Sequence, residues 1–378
     1  MVGRHASARR RWWPGALVGA GAALLGAFFL HSSPARSVSA TTSVATTSVA
    51  PTTTTIPNVT ISAVGDTELG NTPQLPSDPA TYFDPVRAAL AAPIVFGNLE
   101  GTMTQATTSK CSAHSSECYA FKVPTSYARI YRDAGFTVLN SANNHAWDFG
   151  AAGVASTSSA LASAGITQAG LPGQIGLVRD ASVRVAFVDF APYYNTNNFL
   201  EPRAMAALIA RARREANVVV VYLHAGAEGP SADHVTRASE TFYGENRGNP
   251  YAVAHAAIDD GADLVIGSGP HVLRGLEFYR GHLIAYSLGD FSNYEDFATV
   301  GDLAMSAILH VTISAHGAFV SAHLTSLLLA PDGQARVDPA GAAARFVATL
   351  SREDFGASAP SITPDGQIVP SAAPTGAG

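Results

Sequence analysis

The chain has 378 residues, of which 47% are hydrophobic and 14% charged; it has apolar side chains enough for a large buried core and is not a disordered chain. Its formal net charge is −6; outside residues 1–40, which hold five Arg and no acid, 18 basic residues face 29 acidic ones, a balance of −11. That balance excludes nucleic acid as a partner, because phosphate backbones are held by basic surfaces, and a polyanion would need a metal ion or a local basic patch to be held.

Residues 1–40 open with Arg4, Arg9, Arg10 and Arg11, followed by an uncharged apolar run over 14–30. This is the basic and hydrophobic pattern of a signal peptide. The run is also near the lower length limit of a membrane-spanning helix, so an N-terminal membrane anchor is the second reading. Val38, Ser39 and Ala40 offer small residues for cleavage. Residues 41–57 are almost wholly Thr, Ser, Val, Ala and Pro, a composition that buries no core and serves as a linker. The folded part is therefore expected to be exported, extracellular or at the cell surface, and tethered if the anchor is retained. Cys111 and Cys118 lie in a polar loop; in an oxidising compartment a local disulfide is the leading expectation, with two free thiols as the alternative.

From residue 58 onward, strand-like apolar runs over 59–64, 94–99, 137–141, 183–190, 217–224 and 263–267 alternate with helix-like stretches over 85–91, 126–134, 151–164, 202–216 and 251–260. Such alternation predicts a mostly parallel sheet with helical layers. After residue 267 the runs 275–279, 283–287, 303–313 and 318–329 follow one another with Gly-containing turns, which predicts an antiparallel second sheet stacked on the first. The predicted domain covers 58–330. Residues 331–378 carry an Ala-rich helix over 339–350, then a Pro-, Ser- and Gly-rich tail expected to be mobile.

Polar residues gather where the strands end. Asp66 and Glu68 follow the first strand in SAVGDTELG, and Asn98 and Glu100 follow the second in VFGNLEGT. Asn143, Asn144, His145 and Asp148 lie in LNSANNHAWDFG, His224 and Glu228 in VYLHAGAEG, and His271 in VIGSGPHVLRGLE. The carboxyl ends of strands in an open α/β sheet are where ligands are bound. Asn and Asp also satisfy turns, so a capped turn is the second reading of LNSANNHAWDFG taken alone. Oxygen ligands combined with His nitrogen suit Mn, Fe or Zn.

In this order, GD at 65–66, GNLE at 97–100, ANNHAWDFG at 142–150, HAGAE at 224–228 and the long motif from Gly261 to Phe291 resemble the bacterial capsule-synthesis family of CapA type. That family is associated with poly-γ-glutamate and is a distant relative of the calcineurin-like metallophosphoesterases. The resemblance covers residues 59–329. It implies an α/β fold of two stacked mixed β-sheets flanked by helices, the α/β/β/α sandwich of calcineurin-like metallophosphatases, with one or two divalent metal ions. By similarity, Asp66, Glu68, Glu100 and His271 would hold one ion, and Glu100, Asn144 and His224 a second. His145 would be the general acid or a transition-state hydrogen-bond donor, oriented by Asp148.

Several positions depart from the phosphoesterase pattern. Glu68 and Gly269 stand where His is usual, Glu100 where the bridging residue is Asp, Ser268 where some relatives carry His, and Asp290 where Asn is usual. Glu228 is the candidate to compensate for the lost nitrogen ligand. Arg274, close to His271, is the candidate to meet an anionic substrate, since guanidinium pairs with carboxylates in planar fashion; Arg280 reads as a solvated turn. The implied function is synthesis, export or anchoring of an anionic cell-surface polymer such as poly-γ-glutamate, with capsule-export membrane components as partners, through a hydrolase- or transferase-like site. The alternative is a non-catalytic polymer-binding or assembly factor that keeps a degenerate site.

Overall fold

The computed structural model describes residues 57–112 and 118–371, all within one compact unit spanning Thr54–Gly378. The expected signal or anchor and nearly all of the linker lie outside the described residues. Among the described residues no helix is long and apolar enough to cross a membrane. In chain order the elements begin with β1 (Asn58–Glu68), α1 (Asp84–Leu90), β2 (Ile94–Leu99), the short pair β3 (Thr102–Met103) and β4 (Lys122–Val123), α2 (Tyr127–Ala134), β5 (Val138–Asn140) and α3 (Gly150–Ala164). They continue with β6 (Thr167–Ala169), β7 (Gly176–Asp180), β8 (Val183–Phe190), α4 (Pro202–Glu215), β9 (Val218–His224), the hairpin β10 (Glu240–Phe242) and β11 (Glu245–Gly248), and α5 (Pro250–Asp259). Last come β12 (Leu264–Ser268), β13 (Leu276–Tyr279), β14 (His282–Ala285), β15 (Asp290–Asn293), β16 (Met305–Ser314), β17 (Phe319–Leu329), β18 (Ala335–Val337), α6 (Ala342–Phe355), β19 (Ser361–Ile362) and β20 (Gln367–Val369).

Two mixed sheets carry the fold. In the first, β1, β2, β5 and β6 run parallel, and β16, β17 and β20 extend it antiparallel from the other side of β1. In the second, β8, β9, β12 and β14 run parallel, with β7 and β13 antiparallel at the edges. The sheets pack face to face. Val59, Ile61, Ala63 and Phe96 of one share a buried core with Val185, Phe187, Val220 and Tyr222 of the other, and the rings of Phe96 and Phe187 stack at 5.1 Å. Outside the first sheet α1, α2 and α3 cover its outer face through Phe83, Val86, Tyr131 and Leu161. Outside the second, Met205 and Ile209 of α4 and Ala254 and Ile258 of α5 do the same. The α/β/β/α order explains why the VVVVYLH run of β9 is buried along its whole length, since a parallel strand between two covered faces has no wet side.

Two expectations are corrected here. The later strands do not form a separate second sheet: β13 and β14 complete the sheet of β8, β9 and β12, while β16 and β17 join β1. Apolar periodicity marks a strand and its buried face but carries no information about its partner. The tail also carries regular structure as far as Val369. α6 runs to Phe355, later than expected, and β20 then pairs with β17 through Ala322 and Ile368. Ile368 is buried in the inter-sheet core and Ile362 packs against it, so apolar residues on two short strands dock this segment despite its polar composition.

Candidate metal centre

The site forms where the carboxyl ends of both sheets meet. Gly65 makes this possible: a Cβ there would lie 1.8 Å from the Gly289 carbonyl oxygen. Without side chains at that crossing, the Asp66 N–H donates to Gly289 O (3.0 Å), and β15 runs beside the end of β1 with Asp66 opposite Asp290. From β2, Asn98 donates through Nδ2 to Asp66 Oδ1 (2.7 Å). Its own carbonyl oxygen accepts from Asn140 (2.6 Å) and Asn143 (2.8 Å), which fixes the amide with its donors toward the carboxylates. From the second sheet, Ser268 Oγ and the Gly269 N–H (3.1 Å) also donate to Asp66.

His271 follows β12 in a left-handed conformation at φ 58, an unusual backbone state for a residue with a Cβ and one that collects at functional sites. Its Nδ1 lies 2.7 Å from Asp290 Oδ1 and 3.4 Å from Asp66 Oδ2. Asp66, Glu100 and His271 are all buried and each offers a ligand atom, these atoms lying within 4.8 Å of one another. His224, at the end of β9, places Nε2 3.8 Å from Glu100 Oε1.

The electrostatics of this group are those of a cluster short of positive charge. Burial pushes the Glu100 carboxyl well above its usual range, and the neighbouring Asp66 adds to the effect. Burial likewise raises Asp66, against the pull of His271. Burial raises Glu68 too, reinforced by Asp296 and Glu100. Burial opposes charge on His271, but Asp290, Glu100 and Asp66 outweigh it and hold the imidazole well above its usual value. His224 is depressed well below, first by burial and then by Arg247.

The residues fit a divalent cation. Glu100 Oε1, both carboxylate oxygens of Glu68 and Asn144 Oδ1 are buried with no hydrogen-bond partner. Buried polar atoms are nearly always paired, and carboxylate oxygens beside an imidazole make a donor set for a divalent cation.

A neighbouring arrangement comes from the 142–150 segment. His145 Nδ1 is 2.8 Å from Asp148 Oδ2, and Asp148 is held in turn by the Phe121 N–H (2.7 Å) and Lys110 Nζ (2.7 Å). The ring of Phe121 lies 4.4 Å from that of His145. With Nδ1 bonded to a carboxylate, the imidazole keeps Nε2 for other work.

Comparison with known proteins matches residues 60–295 to the family described as bacterial capsule synthesis protein PGA_cap. The chain belongs to this family. Among its relatives is "PGA biosynthesis protein CapA" of Bacillus subtilis (strain 168), 31% identical over 194 residues, 47% of this chain and 48% of that one. "Capsule biosynthesis protein CapA" of Bacillus anthracis is 30% identical over 199 residues, 47% of this chain and 45% of that one. The chain spans about half the length of these curated relatives. Among solved structures, a 5'-nucleotidase precursor from Thermus thermophilus aligns with a TM-score of 0.36 and 15% identity over 73% of this chain and 55% of its own. A purple acid phosphatase from yellow lupin seeds aligns with a TM-score of 0.35 and 10% identity over 75% of this chain and 54% of its own.

Within this PGA_cap chain the residues singled out from sequence have different fates. Asp66, Glu100 and His271 converge. Glu68 and His224 stand beside that convergence and outside it. Asn144 gives its backbone oxygen to Lys110 Nζ (3.0 Å) and leaves Oδ1 unbonded. Cys111 and Cys118 are joined in a disulfide.

Arg274 is corrected. It is 1% exposed, both terminal nitrogens bond Glu240 (3.2 and 2.7 Å) and Nε bonds Ala232 O (2.6 Å). Its donors are spent on bracing the β10–β11 hairpin, so it is an interior strut and not a substrate ligand. Arg280 is exposed in a turn and pairs with Asp259 (3.1 Å).

Sequence reasoning names Asn98 among the polar strand ends and Ser268 and Asp290 among the departures without giving them a role in the site, and it does not name Arg247. The first three stand in the quoted motifs and were legible as polar strand ends. Arg247 comes from a hairpin without any motif, and only folding brings it in.

Proposed function

We propose that this PGA_cap protein acts outside the membrane in synthesis, export or anchoring of an anionic capsule polymer of the poly-γ-glutamate kind, through a metal-dependent hydrolase- or transferase-like site. The observation that carries the reading is the buried convergence of Asp66, Glu100 and His271 at the strand ends, with a Glu100 oxygen left unbonded. A divalent ion held there supplies Lewis-acid polarisation of a phosphoryl or carbonyl oxygen. Asn98 and Ser268 hold the Asp66 carboxylate in place by donating to it. His145, fixed by Asp148 through Nδ1, would give a proton to the leaving atom once Nε2 has itself taken one up, and Lys110 holds Asp148 in place for this. The basic and apolar start of the chain supports export, and the acidic surface makes a bound cation the means of holding a polyanion. Capsule-export membrane components are the partners that such a task requires.

Metal analysis of the full chain and three variants tests this. Asp66→Asn and His271→Ala are expected to lower metal occupancy, since each removes a ligand of one ion. His145→Gln is expected to leave bound metal unchanged and to lower turnover by roughly 100-fold on phosphoester or γ-glutamyl substrates, the usual contribution of a general acid. Unchanged metal in Asp66→Asn and His271→Ala would remove the metal reading and leave a polymer-binding assembly factor.

A further inference from the structure

We infer that Arg247 takes the place of a second metal ion, so that the site binds a single divalent cation with a guanidinium as its permanent neighbouring charge. This rests on the metal reading above and goes beyond it in fixing the stoichiometry. Arg247 enters from β11 and is 1% exposed. Its Nη1 pairs with Glu228 Oε1 (2.8 Å), and its Nη2 lies 3.4 Å from both His224 Nε2 and Gly269 O.

The contact with His224 decides the matter chemically. Arginine carries donors only, so the His224 Nε2 lone pair is the acceptor of that contact. One lone pair serves a hydrogen bond or a metal, and not both. A second ion shared by Glu100 and His224 would need that same lone pair, and it would sit against a guanidinium of like charge. The other imidazole nitrogen, Nδ1, then carries the proton and faces Tyr222 Oη (3.2 Å), which can accept it.

Two further observations agree. Gly269 occupies the position where a phosphoesterase has an additional His, but here φ is +110 and a Cβ would lie 3.1 Å from the nearest atoms of the His224 ring. A side chain on this backbone would be strained by its positive φ and tight against the His224 ring. Glu228, which could have compensated, spends one oxygen on Arg247 and keeps the other 3.7 Å from His271 Nε2. One cation therefore has ligands in Asp66, Glu100 and His271, while His224 and Glu228 are committed to Arg247.

The test is uptake of Mn²⁺ by the full chain after chelator stripping, read by elemental analysis and by electron paramagnetic resonance. One Mn²⁺ per chain with an uncoupled signal is expected, and Arg247→Lys should keep it at one. Arg247→Gln should raise uptake to two with an exchange-coupled signal. His224→Ala should leave the affinity for the first ion unchanged; this variant keeps the inference testable should Arg247→Gln fail to fold. Two ions in the unaltered chain, one ion in folded Arg247→Gln, or loss of Mn²⁺ affinity in His224→Ala would each overturn the assignment. A chain that takes up no Mn²⁺ would overturn the metal reading itself, and this inference with it.

Discussion

Asp189 lies in β8 with neither carboxylate oxygen hydrogen-bonded and no exposed surface. Alternation along the strand puts it on the inter-sheet side with Val185 and Phe187, opposite Tyr222. Burial alone pushes its carboxyl well above the usual range. The folded state therefore favours the protonated acid. Its contribution to stability is complete below the unfolded pKa and is lost as pH rises toward the folded value, at roughly 1.4 kcal/mol per pH unit across that window. Asp189→Asn removes the titration, so urea unfolding at about pH 5 and about pH 8 should show a smaller drop in the variant than in the parent. Equal drops would mean that Asp189 remains ionised in the fold. Gly65 belongs to the same scale. Because the atom a Cβ would strike is backbone, Gly65→Ala cannot be relieved by a rotamer change, and a loss of about 4 kcal/mol or more is expected in a denaturant melt.

At the scale of elements, the segment from Lys110 to Phe121 holds the His145 and Asp148 pair from both ends. The Lys110 N–H donates to Asp148 O (2.7 Å), its ammonium pairs with the Asp148 carboxylate, and Phe121 supplies the amide on the other oxygen. The disulfide closes the chain between these two anchors, with a sequence separation of 7. A loop this short gives about 2 to 3 kcal/mol at most in the chain-entropy model. Replacing both cysteines by Ser should therefore leave the domain folded while speeding hydrogen exchange at the Phe121 amide. Unchanged exchange there would show that the two anchors hold without the crosslink. The 142–150 segment itself forms the turn that its sequence suggested. Asn143 Oδ1 accepts from the His145 N–H (2.9 Å) in a turn, and the same turn aims His145 and Asp148 at one another.

At the scale of the molecule, the two sheets share one core and the C-terminal segment closes it. Ile368 is 1% exposed and packs with Leu324 and Val347. Ile368→Ala is expected to cost about 2 to 4 kcal/mol in equilibrium unfolding, the usual range for an aliphatic truncated in a core. A cost within about 0.5 kcal/mol, as for surface substitutions, would instead show that the tail contributes nothing to the fold.

By itself the sequence determined what depends on neighbours along the chain. Ile94–Leu99 and Val183–Phe190 form strands with the bounds that their apolar runs predict, and Pro202 opens α4 where a proline at a helix start belongs. Asp66, Glu100 and His271 were legible as candidate ligands because each ends or follows a strand, and strand ends in such sheets are where ligands bind. Tertiary structure decided what depends on partners far away in sequence: which sheet receives β13, β14, β16 and β17, and that Arg274 is spent on Glu240 while Arg247 reaches His224. Local periodicity reports burial and backbone conformation. It cannot report which buried charge meets which, because a guanidinium carried by a hairpin finds its partner only when strands separated by long stretches of chain pair and pack.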